Sequence, residues 1–175
     1  VDAIALRGQD NLPPPAAVAS GEPLLVMARD LVKNLKPVRW AVRGYLEQQT
    51  LAVLFGEPGA GKSFVALDLA CTIASGRNWH GQATRQTPVV YICGEVYAGL
   101  RRRIVGWSLW HDCSLDRVPL AVTRRAVPLC DLQAVVRLRD EIDRAVEQLG
   151  DAPGQFIVDT VARNFGGLDE NSTKD

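Results

Sequence analysis

The sequence has no apolar run approaching the roughly 20 residues that a membrane-spanning helix needs. Its N-terminus lacks a basic segment followed by a long apolar core, so no secretory signal is expected. Net charge is missing too: 20 basic residues balance 20 acidic ones, which gives no support to a strongly basic nucleic-acid coat. A few loop residues could still make such contacts. The four cysteines, Cys71, Cys93, Cys113 and Cys130, are scattered without a CxxC pair, which argues against a zinc site. Cys71 and Cys93 fall inside apolar segments and read as small buried residues, and free thiols fit a cytoplasmic location. Neither histidine, His80 or His111, sits in a Ser-His-Asp or Cys-His pattern, so nucleophilic catalysis through histidine finds no footing. No internal repeat is present.

What is present suits one compact α/β domain of 175 residues. Residues 1–36 read as a leader: "LPPPAAVASGEP" is Pro/Ala/Gly-rich, and residues 23–36 have the pattern of one short amphipathic helix. Residues 37–175 carry alternating strand and helix signals. "LAVLF" (Leu51–Phe55), "PVVYICGE" (Pro88–Glu95) and "QFIVDT" (Gln155–Thr160) are short apolar runs of the kind buried in parallel sheets, and "PLAVT" is a weaker one. A helix is expected after residue 61 with Gly76 as its stop, and another over "AGLRRRIVGWSLW". A third is expected over 131–150, capped by Asp131, with Leu132, Val135, Val136, Leu138, Ile142 and Val146 as its apolar stripe. This order predicts a three-layer fold with a mostly parallel sheet, its ligand edge at the carboxyl ends of the strands.

Gly56 to Ser63 reads Gly-Glu-Pro-Gly-Ala-Gly-Lys-Ser and matches the phosphate-binding P-loop pattern. Backbone N–H groups can surround a polyphosphate only where side chains do not block the approach, and Gly56, Gly59 and Gly61 leave that path open. The helix that follows points its positive end at the phosphates. The contacting stretch is thus Gly56, Glu57, Pro58, Gly59, Ala60, Gly61, Lys62, Ser63 and Phe64. Lys62 would reach the β- and γ-phosphates, and the Ser63 hydroxyl would coordinate Mg²⁺. An aspartate ending a buried strand usually completes such a metal site, and Asp159 holds that place. Thr160 follows it, so there is no Asp-Glu pair to activate water. Glu95, ending "VVYICGE", is the alternative acid.

The order P-loop, strand-Glu, strand-Asp-Thr resembles the RecA-like ATPases. More narrowly, "LAVLFGEPGAGKSFVALDLA", "WHG", "VVYICGE…GLRRRI" and "FIVDTVARNFGGLDENSTKD" resemble RepA-type replicative helicases and the phage and plasmid AAA-family ATPases grouped with them. The resemblance starts near Trp40. It implies ATP and Mg²⁺ as cofactors, Glu95 as the catalytic glutamate, Lys62 and Ser63 at the nucleotide, and Asp159 at the metal. It also implies a homo-oligomer, often a hexameric ring, with single-stranded DNA as a partner. In RecA-like folds further strands, a polar sensor and an arginine finger follow the Asp strand, so residues 37–175 are expected to be the first part of an ATPase domain incomplete at its C-terminus.

Other features have two readings. Arg101, Arg102 and Arg103 spread around a helix, so a solvated face competes with one arginine folding toward the nucleotide or a neighbour. Arg163 and Lys174 are ordinary loop charges or DNA phosphate contacts. Gly166 and Gly167 suggest a loop, and Asn171 or Ser172 could cap a later helix. Trp107 and Trp110 read as core, and His80 as a loop residue near the site. A nucleotide-dependent switch, a small-molecule kinase and a purely structural assembly fragment are the rival functions.

Overall fold

The computed structural model describes residues 25–35, 37–94 and 97–165, with Tyr97 by its backbone alone. The chain divides into two units, residues 1–38 and 39–175. In the first, the described part of the helix expected over 23–36 holds α1 (Ala28–Leu31) and a 3₁₀ turn at Val32–Asn34. Short amphipathic helices depend on burying their apolar face. Here Leu25, Met27, Leu31 and Leu35 are all exposed, so nothing extends the helix.

The second unit opens with an antiparallel hairpin, β1 (Trp40–Val42) and β2 (Leu46–Glu47), which the sequence pattern did not disclose. Residues 83–85 run alongside it: the Arg43 N–H donates to the Ala83 carbonyl at 2.9 Å, and the Arg85 N–H to the Ala41 carbonyl at 2.9 Å. Then come α2 (Lys62–Ser75), β3 (Val89–Cys93), α3 (Tyr97–Trp110), β4 (Leu120–Val122), α4 (Leu132–Leu149), β5 (Gln155–Asp159) and α5 (Val161–Asn164).

Strands β4, β3 and β5 form one parallel sheet in that order. All five residues of central β3 are buried, as its unbroken apolar run requires for a strand covered on both faces. Val89, Tyr91 and Cys93 join a core with Leu67, Ala70, Cys71, Ile73 and Ala74 of α2 and Leu100 and Trp107 of α3. Val90, on the opposite face, looks into a groove shared with Leu138, Ile142 and Ala145 of α4. Helices therefore flank the sheet on both sides, giving the expected α/β layering.

The helix ends follow local chemistry. Gly76 closes α2, its N–H donating to the Ile73 carbonyl. An Asp131 carboxylate oxygen accepts from the Gln133 N–H at 2.8 Å and caps α4. The α4 stripe is only half covered, with Leu132 and Val136 left exposed. Strand β5 is also less enclosed than expected, since Phe156 is exposed.

The predicted strand at Leu51–Phe55 is not formed. These residues lie outside any strand, with Leu51 94 % and Phe55 86 % exposed. Apolar composition suits a segment to burial, but a strand exists only where a backbone ladder pairs with it. Among the described residues, no strand supplies that ladder.

Candidate active site

The loop from Gly56 turns back on itself before α2: the Ala60 N–H donates to the Glu57 carbonyl at 3.1 Å. Gly61 then sits at the helix N-cap with φ 85°, a left-handed conformation that a side chain would strain. Its carbonyl accepts from the N–H groups of Phe64 at 2.9 Å and Val65 at 3.1 Å, which starts the helix. Lys62 Nζ donates to the carbonyls of Gly56 at 2.7 Å and Glu57 at 2.9 Å, placing its charge over the loop.

Ser63, one residue further into α2, donates its hydroxyl to Asp159 Oδ1 at 2.9 Å. These residues are 96 apart in sequence, and each is delivered by its own element: Ser63 by the first turn of α2, Asp159 by the last position of β5. The second carboxylate oxygen, Oδ2, accepts from the Tyr91 hydroxyl at 2.5 Å. Tyr91 is fully buried and Asp159 nearly so. Burial, reinforced by the Asp159 carboxylate beside it, pushes the Tyr91 phenol above its ordinary range, so it keeps its proton and remains a donor.

The parallel ladder sets this geometry, pairing Tyr91 with Ile157 and Cys93 with Asp159. It continues past the strands, where the Gly94 N–H donates to the Asp159 carbonyl at 2.7 Å. A Cβ on Gly94 would lie 2.6 Å from Arg163 Cβ, so any side chain here would force β3 and the β5–α5 turn apart. On the other side the Thr123 hydroxyl accepts from the Cys93 N–H at 2.9 Å. The end of β3 is thus held from both neighbouring strands. Glu95 follows immediately but lies outside the described residues, as do Lys174, Gly166, Gly167, Asn171 and Ser172.

A second polar cluster ties α2 to its surroundings. Asp68 accepts from the indole N–H groups of Trp107 at 2.8 Å and Trp79 at 2.9 Å. His80 Nε2 at 3.4 Å and His111 Nε2 at 3.8 Å lie beside the same carboxylate. His80 is therefore turned to Asp68, not to the loop. Trp107 is core as expected; Trp110 is not, being 85 % exposed at the end of α3. Of the three arginines, Arg101 and Arg102 are exposed, whereas the Arg103 guanidinium lies 4.8 Å above the Phe64 ring. Arg163 is exposed on α5.

The structure thus brings Lys62, Ser63 and Asp159 to one edge of the sheet. Sequence reasoning missed Tyr91. The signal was a single phenol in an otherwise aliphatic buried strand, since a buried phenol needs a hydrogen-bond partner. Among the described residues, no group of three or more His, Cys, Asp or Glu gathers as a metal cluster. No helix among them is long and apolar enough to cross a membrane.

Chemically, this edge offers a lysine ammonium, a hydroxyl and a carboxylate beside a glycine-rich helix N-terminus, a setting for polyphosphate. The family model described as the AAA domain matches residues 15–175, reaching further into the leader than the resemblance from Trp40. Comparison with curated proteins and with solved structures found no match. The chain belongs to the AAA domain family, and with it to the nucleotide-dependent ATPase domains with a P-loop α/β fold.

Proposed function

We propose that this domain binds ATP with Mg²⁺ and hydrolyses the β–γ bond, as the RecA-like motor of a ring-forming, hexameric DNA helicase or replication ATPase. The observation that carries the reading is the Ser63–Asp159 contact of 2.9 Å, which joins the P-loop helix to the aspartate ending β5.

The donor set fits the metal. Ser63 Oγ and Asp159 Oδ1 are hard oxygen ligands at one point of the sheet edge, the kind of site in which Mg²⁺ is held by one or two protein oxygens plus phosphates. Bound there, the ion would neutralise charge on the phosphate oxygens. The chain's own groups do the rest. Backbone N–H groups of residues 57–63, apart from Pro58, which has none, bind the phosphates at the helix N-terminus. Lys62 exchanges its contacts with the Gly56 and Glu57 carbonyls for phosphate oxygens. Asp159 orients the metal side of the site, and Glu95 orients the attacking water, a role resting on its place after β3 and on the family resemblance.

The motor role rests on the resemblance to RepA-type and phage or plasmid ATPases. Single-stranded DNA as partner, ring assembly and a cytoplasmic location belong to the same reading. ATP turnover with and without single-stranded DNA tests it. Stimulation by DNA, abolished by Lys62→Ala and Glu95→Gln, is expected. Turnover indifferent to DNA would replace the motor with a regulatory switch, and transfer of phosphate to a small acceptor would replace it with a kinase.

A further inference from the structure

We infer that Tyr91 is a positioning residue for the metal-side carboxylate, fixing Asp159 so that one oxygen faces Ser63. The inference rests on the nucleotide-site reading above and deepens it.

A carboxylate on a short side chain has a soft terminal torsion, so its plane is set by what binds its oxygens. Among the described residues, each oxygen has one side-chain donor. Oδ1 takes the Ser63 hydroxyl at 2.9 Å and Oδ2 the Tyr91 hydroxyl at 2.5 Å. The two donors differ in mobility. Ser63 is partly exposed on a helix turn and has a single rotatable hydroxyl. Tyr91 is fully buried in the central strand, its ring enclosed by the α2–α3 core. Its reach to Asp159 is set by the β3–β5 ladder, two residues below the Cys93–Asp159 pair.

The phenol therefore anchors Oδ2 from the interior and leaves Oδ1 facing the loop. When Ser63 turns its oxygen to a cation, the Tyr91 bond still holds Oδ2 from the interior and keeps the carboxylate aimed. Partners of this kind behind a metal ligand typically change metal affinity by about 10–100-fold when removed. Tyr91 touches neither nucleotide nor metal in this scheme, so its removal acts on the metal dependence and not on nucleotide binding as such.

The test titrates Mg²⁺ into the protein with a fluorescently labelled ADP, comparing wild type, Tyr91→Phe and Lys62→Ala. Tyr91→Phe is expected to bind the labelled ADP in EDTA as wild type does, while its Mg²⁺ half-saturation rises about 10-fold or more. An unchanged Mg²⁺ half-saturation overturns the proposal. So does an equal loss of affinity with and without Mg²⁺, which would mean a structural role only. Wild-type protein that ignores the labelled ADP, or binds it equally after Lys62→Ala, overturns the nucleotide-site reading itself and the proposal with it.

A second measurement needs no variant. Protein labelled at its 3 tyrosines is followed by NMR for the Tyr91 hydroxyl proton. It is expected downfield and protected from exchange both before and after Mg²⁺ and ADP are added. Its loss on metal binding would show that the phenol lets go when the carboxylate is needed, contradicting the inference.

Discussion

Replacing Asp68 with alanine should loosen α2 from α3 and from the loop at Trp79. Asp68 lies six residues beyond Lys62 on the same helix and receives two indole N–H bonds, at 2.8 and 2.9 Å. A hydrogen bond to a charged acceptor contributes about 1.5–3 kcal/mol net, and a buried donor left alone costs about 1–3 kcal/mol. Trp107 is only 8 % exposed, so its N–H would stay unsatisfied. Trp79 is half-buried, and water would replace part of its bond. The expected loss for Asp68→Ala is therefore about 3 kcal/mol. Asp68→Asn keeps one acceptor oxygen but turns an NH₂ donor toward the other indole, so about half of that loss should remain. Urea unfolding followed by far-UV circular dichroism measures both. Combining Asp68→Ala with Trp107→Phe should cost less than the sum of the single changes, by about 1–2 kcal/mol, because both remove the same bond. A loss under about 0.5 kcal/mol for Asp68→Ala would refute the claim that this carboxylate ties the helices together.

Three further outcomes follow from single contacts. Gly94→Ala places a Cβ 2.6 Å from Arg163 Cβ, and the forced separation of β3 from the β5–α5 turn should lower stability by about 1–3 kcal/mol, read as a fall in Tm. Asn164 is fully buried, its Oδ1 accepting from the Val127 N–H at 2.8 Å and its Nδ2 donating to the Thr160 carbonyl at 2.9 Å. Asn164→Ala should therefore cost about 1–3 kcal/mol in urea unfolding, whereas a neutral result would deny the staple between residues 127–129 and α5. Burial, with Asp68 nearby, pushes the Cys71 thiol from 9.0 up to about 12. The folded state thus holds this proton more tightly than the unfolded one, so the stability it contributes is complete below the unfolded value and lost as pH rises above it. Between about pH 8 and about pH 10 the loss is about 1.4 kcal/mol, and Cys71→Ala should remove that share of the pH dependence in unfolding titrations.

Much of this architecture was legible because the signals were local. The apolar run Val89–Cys93 became the buried central strand, Asp131 and Gly150 bound a helix between them, and the glycine loop led into α2 at Lys62. Asp159 ends β5 and accepts the Ser63 hydroxyl. Most of the misreadings share a cause: they concern pairing, which a local pattern does not encode. Leu51–Phe55 has strand composition, yet no described strand pairs with it. The Trp40–Glu47 hairpin has little alternation, but residues 83–85 stabilise it from far along the chain. Tyr91 meets Asp159 across 68 residues, and Asp68 meets Trp107 across 39, so neither polar cluster left a spacing to read. Trp110 obeyed helical spacing with Trp107, but α3 ends there and leaves it in solvent.

The most direct test of the account is equilibrium binding of a fluorescent ATP analogue with Mg²⁺, in wild-type protein and in Lys62→Ala, with folding of both verified by circular dichroism. The account predicts saturable binding by wild type that weakens by about 10–100-fold or more in the variant, the cost of losing a charge-assisted contact to phosphate. Folded wild-type protein that does not bind, or a folded Lys62→Ala that binds equally well, would contradict the claim that Gly56–Ser63 and Asp159 form a nucleotide site.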